Sequence, residues 1–319
     1  MPTATSIKLK ERAAGCLVGA AIGDALGMPT EFVKRERFER KFGGAVTVFR
    51  RAPKNHPSRH LYAGQYTDDT QQAIILAETI IEKNGFDIKT FGKKMGEWGH
   101  LCLLDRDYNR GAGHISLNAA QKLWNGAQPE QSGSTTTESC GSSMRVFPVG
   151  LYYFDFFSAI EYAKLSSIAT HNTEITMDGA ALVAGIVNLL AHHGMEAIES
   201  VEKALNAVRN PRIVESAKKA ISVRSLEPAM AEKSIGTGTN VDETVGYAVY
   251  SFIHTPDDFE KTIINAANVD AGDSDTIACI AGAFSGAYNG FSAIPDRFLK
   301  VENMKKLKGI AEKLVEGKP

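Results

Sequence analysis

Tyr66-Thr67-Asp68-Asp69-Thr70-Gln71-Gln72-Ala73-Ile74-Ile75-Leu76 is the stretch on which the reading of the fold turns. Two adjacent carboxylates stand between two hydroxyls, directly ahead of an apolar-periodic run that continues to Ile80 and Ile81. A Thr or Asp cap accepts from the unpaired N–H groups that open a helix, and acids in the first turn oppose its dipole. The stretch therefore predicts a helix over 69–83. In mid-helix, adjacent side chains diverge by roughly 100° and cannot aim together. At the first turn, where the backbone is still leaving a loop, both acids can project toward one point. By itself the tetrapeptide reads as an ordinary N-cap.

Working outward, the same periodicity predicts helices near 11–28, 88–103, 114–124, 155–168, 178–192, 196–208, 211–224, 240–253, 257–267, 275–289 and 297–316. The segment 178–192 is apolar nearly all round, as a central helix is. Residues 40–66 read as loop, with a short extended piece at Val46 to Phe49, and 125–143 as a long Gly/Ser/Thr-rich loop. Clear alternating strands are nearly absent. No dinucleotide-binding glycine fingerprint, Walker A loop, nucleophile elbow or solenoid repeat occurs. The expectation is one all-α domain over 1–319, a compact bundle. Gly15, Gly19, Gly23 and Gly27 recur every four residues. Each costs a helix about 1 kcal/mol against alanine, so four in register predict close approach of another helix, or of a ligand near the end. Pro29 then breaks the helix, between Asp24 and Glu31.

The 319 residues are 43% hydrophobic and 23% charged, enough for a full-sized core. A net charge of −1 supplies no basic field for nucleic acid or an anionic membrane. The apolar run Ala13 to Met28 contains Asp24 and leads into charged sequence, which fits an internal helix better than a leader or a membrane span. Cys16, Cys102, Cys140 and Cys279 are scattered, with no CxxC pair. They predict reduced thiols in a cytoplasmic protein, with a monomer as the default state.

A second acidic cluster changes the meaning of the first. Asp273-Ser274-Asp275-Thr276 again places acids and a hydroxyl where a loop enters a small-residue helix. An EF-hand fails, because the fifth loop position counted from Asp273 is Ile277 and the twelfth is Phe284. Brought together, Glu31, Asp68, Asp69, Asp273 and Asp275 would carry a charge of about −5. Burying them unpaired is prohibitive. Two divalent cations would resolve the conflict, and an all-oxygen donor set selects Mg²⁺ or Mn²⁺ over Zn²⁺. The other reading is that the clusters never meet and each only caps its helix.

Four blocks in order resemble the ADP-ribosylglycohydrolases, a family that includes the dinitrogenase-reductase-activating glycohydrolases, the ADP-ribosylserine hydrolases and the J1 crystallins. They are Gly15–Glu31 (GCLVGAAIGDALGMPTE), Tyr66–Gln72 (YTDDTQQ), Cys140–Val149 (CGSSMRVFPV) followed by His171, and Asp273–Gly286 (DSDTIACIAGAFSG). The resemblance implies an orthogonal multi-helix bundle with two Mg²⁺ (or Mn²⁺) ions at the base of a cleft. It implies that Thr67, Asp68 and Asp69 supply one side of the metal pair and Asp273, Asp275 and Thr276 the other. Glu31 matches the acid that approaches the metals and serves in some members as the catalytic carboxylate, here with Asp69 beside it. Gly141, Ser142, Ser143, Met144 and Arg145 match the loop that wraps the diphosphate and distal ribose, and His171 a ligand-contacting histidine. The family often reads Gly-Asn-Gly where this chain has Ser139-Cys140-Gly141. Asp105 and Asp107 stand where some members place a further catalytic acid. Phe147 and Tyr152 are candidates to stack on adenine, with core packing the stronger reading for both.

The implied activity is hydrolysis at the anomeric carbon of an ADP-ribosyl group carried by a protein or a small conjugate, with neither membrane nor nucleic acid as partner. Two alternatives are hydrolysis of a free nucleoside or ADP-ribose metabolite, and non-catalytic ADP-ribose binding. A further one, an all-α phosphohydrolase, usually recruits histidine beside its metal-binding acids, and none stands beside either cluster here.

Overall fold

The computed structural model describes residues 4–318. Its described residues form sixteen α-helices and four short 3₁₀ turns. They contain no strand, only isolated bridges at Ser134–His171 and Ser139–Asn240. The all-α expectation holds. The segment at Val46 to Phe49 is not a strand, and a side chain explains why. Asn268 Oδ1 accepts from Val46 N at 2.6 Å, and Asn268 Nδ2 donates to Val46 O at 3.0 Å, so one amide satisfies the groups a strand partner would.

The glycine stripe meets a helix. Ala4–Gly27 runs antiparallel to Ser274–Asn289, with Gly15 against Gly286, Gly19 against Gly282, Gly23 against Ala278 and Gly27 against Ser274. A Cβ at Gly23 would land on the Ala278 carbonyl oxygen, and one at Gly286 on that of Gly15. Only hydrogen at Cα permits this approach. The pairing therefore brings the end of the first helix beside the beginning of the other. Pro29 then folds Met28–Thr30 into a 3₁₀ turn. The Thr30 hydroxyl lies 2.8 Å from Gly27 O and 3.0 Å from Ser274 Oγ, sealing the junction.

Asp24 attaches the third element. Fully buried, its carboxylate accepts from Thr67 N at 2.8 Å, Thr70 N at 3.1 Å and Thr70 Oγ1 at 2.6 Å. It closes the N-terminus of Asp68–Lys83, which Thr67 also caps through Asp69 N. Glu174–Ala191 is buried without a break from Asp178 to Ala191 and packs on Phe156–Ile168 and Phe147–Tyr152. It and Ile7–Thr30 are long and apolar enough to cross a membrane, yet both lie inside the protein as core helices. Phe147 and Tyr152 are buried in that core, as the packing reading had it. The first helix begins at Ala4, earlier than its apolar run, and Arg35–Phe42 and Pro228–Ile235 add short helices not expected from periodicity.

Candidate metal centre and active-site cleft

Three helix ends converge on one cleft of about 270 Å³. Its base carries Glu31, Asp68, Asp69, Asp273, Asp275 and Thr276. The two acidic clusters meet. Carboxylate oxygens of Glu31, Asp273 and Asp275 lie within 4.8 Å of one another. Larger hollows occur elsewhere, one of about 430 Å³ between Phe154 and Phe157 and one of about 470 Å³ between His60 and Arg106. Neither gathers a carboxylate cluster, so the chemistry singles out the smaller cleft.

Each acid is aimed by its local backbone. Asp68 and Asp69 open their helix, and Gln72, one turn on, donates from Nε2 to Asp68 Oδ2 at 2.7 Å. Asp273 is the residue before Ser274–Asn289, and Asp275 Oδ1 accepts from Thr276 N at 3.0 Å. Glu31 follows the 3₁₀ turn with φ −51° and ψ 123°, and it lines the cleft with the acids.

The acids oppose one another. Burial and then the charge of Asp24 push Asp68 up to about 7. Burial holds Glu31, Asp69 and Asp275 well above the usual carboxylate range, followed by Asp273 for Glu31, Asp24 for Asp69 and Glu31 for Asp275. Burial raises Asp273 as well. Among the described residues no lysine or arginine pairs with any of the five. The one ring within ion-pair range is His56, with Nε2 3.5 Å from Glu31 Oε2, and burial lowers its pKa. Asp69 Oδ2 is buried with no hydrogen-bond partner at all. An orphaned carboxylate oxygen, an all-oxygen donor set and uncompensated negative charge fit hard divalent cations.

The wall of the cleft includes Gly141, Met144 and His171. A Cβ on Gly141 would come within 2.6 Å of the His171 ring, so the two positions are matched. His171 is held through Nδ1 to Thr170 Oγ1 at 2.8 Å and Nε2 to Ser139 Oγ at 3.1 Å, and burial lowers its pKa to about 3. Ser142, Ser143 and Arg145, matched to the same substrate loop, are fully buried and do not face the cleft. Arg145 donates to Gln72 Oε1 and to Thr170 Oγ1, both at 2.6 Å, and lies over the Phe91 ring. It thus braces Gln72, which braces Asp68, and it anchors Thr170, which holds His171. Burial lowers even this guanidinium to about 9. Asp105 and Asp107 are exposed and make a turn, Asp107 N donating to Asp105 Oδ1 at 2.8 Å, and neither lines the cleft.

Four residues around the acids were given no role from sequence. Asp24 had a signal, a lone acid on an apolar helix. Gln72 had another, its position one turn after Asp68. Cys140 donates from Sγ to Asp273 Oδ2 at 3.1 Å, and His56 touches Glu31. Neither leaves a local sequence trace.

The model of the ADP-ribosylglycohydrolase family matches residues 5–319. An uncharacterized protein of Archaeoglobus fulgidus is 34% identical over 97% of both chains. The ADP-ribosylarginine hydrolase Tri1 of Pseudomonas putida is 28% identical over 99% of this chain and 81% of its own. The ADP-ribosylhydrolase ARH3 of Gallus gallus is 27% identical over 88% and 86%. In fold, the chain superposes on a solved ADP-ribosylglycohydrolase-related protein complex with a TM-score of 0.79, covering 97% of this chain and 98% of the other at 23% identity. The glycine-paired helices, the convergent acids and the match along nearly the whole chain agree: this protein is an enzyme of the ADP-ribosylglycohydrolase family.

Proposed function

We propose that the protein hydrolyses, in a metal-dependent reaction, the glycosidic bond at the anomeric carbon of an ADP-ribosyl group, releasing ADP-ribose from a modified side chain or a related conjugate. The observation that carries this reading is the set of five carboxylates, four buried and Glu31 half-buried, gathered without a lysine or arginine at one cleft. The relatives named as ADP-ribosylarginine hydrolases support an arginine N-glycoside as the first leaving group to try.

Asp68, Asp69, Asp273 and Asp275, with the hydroxyls of Thr67 and Thr276, would hold two Mg²⁺ or Mn²⁺ ions, and Glu31 stands beside them. Such ions, when bound, supply charge compensation and Lewis acidity toward water and hydroxyl groups. Glu31 stands at the rim of the acid cluster and takes the proton of the attacking water on its carboxylate. Asp69 and the other acids favour the positive charge that develops on the ribose as the bond breaks. Gly141, Met144 and His171 contact the ADP half along the wall. Ser142, Ser143 and Arg145 support that wall from behind, Arg145 through Gln72 and Thr170.

The decisive experiment follows release of ADP-ribose from ADP-ribosyl-arginine, ADP-ribosyl-serine and O-acetyl-ADP-ribose, with plain nucleosides as controls. Assays run with EDTA and after restoring Mg²⁺ or Mn²⁺. Turnover of at least one ADP-ribosyl conjugate that chelation removes is the expected result. No turnover of any conjugate, or turnover indifferent to chelation, ends the reading.

A further inference from the structure

His56 lies against Glu31, and its contacts fix which ring nitrogen carries the proton. The ring is buried, and the Ser58 backbone N–H donates to Nδ1 at 3.1 Å. A backbone N–H only donates, so Nδ1 keeps its lone pair and the proton of the neutral ring sits on Nε2. Nε2 in turn lies 3.1 Å from the backbone oxygen of Glu31 and 3.5 Å from its Oε2. The N–H therefore donates to the Glu31 carbonyl and leans toward the carboxylate.

The same peptide unit is gripped on its other side. Phe32 N donates to Gly272 O at 2.8 Å, one residue ahead of Asp273. Phe32 has φ 53°, a left-handed conformation that a bulky residue keeps only where its surroundings impose it. Carbonyl and amide of the peptide that joins Glu31 to Phe32 are thus tied to two different loops. The Glu31 carboxylate lies within 4.8 Å of those of Asp273 and Asp275.

We propose that His56 is a positioning residue for Glu31, acting as an Nε2–H donor that locks the 31–32 peptide and so aims the carboxylate into the cleft. The kinetic readout of this inference rests on the hydrolase reading; the structural readout does not.

Two amide substitutions split the ring's two contacts. In His56→Asn, the side-chain oxygen can replace Nδ1 as acceptor for Ser58 N–H, but nothing reaches the Nε2 position. In His56→Gln, an amide N–H reaches the Nε2 position while the Ser58 contact is lost. A misaimed carboxylate should lower kcat of His56→Asn roughly ten- to a hundredfold, with KM within about twofold of wild type and an unchanged melting temperature. His56→Gln should recover most of that loss. Wild-type kcat in His56→Asn, or equal losses in the two variants, would mean that His56 merely shapes its own loop and would overturn the proposal. Independently of turnover, ¹⁵N NMR of the ring reads the tautomer. A pyridine-type Nδ1 with a pyrrole-type Nε2 at neutral pH is expected, and the reverse pattern or a doubly protonated ring overturns the assignment. Should the wild-type protein cleave no ADP-ribosyl conjugate, the hydrolase reading alone fails, and the ring spectrum still decides the role of His56.

Discussion

Asp178 and Asp273 are buried to nearly the same degree, at 1% and 4% exposure, and they are opposite kinds of carboxylate. Asp178 accepts from Arg209 N at 2.7 Å and Asn210 N at 2.6 Å through Oδ2, and pairs through Oδ1 with Lys164 Nζ at 2.6 Å. Its charge is met inside the protein, and it joins the central helix Glu174–Ala191 to the turn before Pro211–Ser222. Asp273 receives the weak S–H donor of Cys140 and the hydroxyl and amide of Thr276 but no cation, and its nearest company is other acids. Asp24 stands between the two cases, with three donors but no cation, and burial lifts it to about 6. Burial therefore does not mark a functional acid. Missing compensation does, because the fold tolerates an unpaired buried charge only where something else supplies the countercharge.

The comparison breaks first on activity. Asp273→Asn or Asp68→Asn should cut hydrolysis roughly a hundred- to a thousandfold, in steady-state assays at saturating metal. The same changes should leave the metal-free melting temperature level or higher, since each removes one of several repelling charges. A metal-free protein destabilised by Asp273→Asn would make that acid structural, like Asp178. Stability gives the next largest contrast. Asp178→Ala orphans two backbone N–H groups and the Lys164 ammonium, a loss of about 2–3 kcal/mol in denaturant unfolding. Lys164 is partly exposed, which keeps the figure at the low end for a broken pair. Turnover per folded molecule should be unchanged in that variant.

The smallest effect tests a buried group of the other sign. His171 is neutral in the cleft wall, with its folded pKa lowered to about 3 against an unfolded value near 6.5. A depressed histidine contributes stability above its unfolded pKa and loses it as pH falls toward the folded one. Between pH 6.5 and 5.5 the wild-type protein should lose about 1 kcal/mol that His171→Gln does not lose. The raised acids of the cleft act in the opposite direction, so the difference between the two proteins is the quantity to measure. Identical pH profiles would place a charged His171 in the folded state.

Much of this was legible in the chain. Thr67 and the acids after it announced a capped helix, because capping is a contact between close neighbours; Asp273 to Thr276 announced the start of another, but Asp273 makes no side-chain cap bond there, its carboxylate being turned to the cleft. The glycines at 15, 19, 23 and 27 announced a close approach without naming the partner helix. What stayed illegible has a common cause. Arg145 sits in a motif matched to substrate contact, yet its guanidinium turns inward to Gln72 and Thr170, and only packing around Phe91 sets that direction. His56 lies in a loop without periodicity, and its link to Glu31 depends on how two loops fold against each other. Cys140 replaces an asparagine common in the family, and nothing in its neighbours along the chain indicates Asp273.

The sequence by itself determined the helical class, the Thr67 cap, the donor chemistry and the residue types able to hold hard cations, since each follows from hydrogen bonding and periodicity over a few residues. The tertiary structure alone decided that the acids converge, that among the described residues no lysine or arginine joins them, that Arg145 braces Asp68 through Gln72, and that His56 lies against Glu31. Convergence comes from the backbone-to-backbone packing of Ala4–Gly27 on Ser274–Asn289, and countercharge is a property of the space around a group, which neighbours along the chain do not specify.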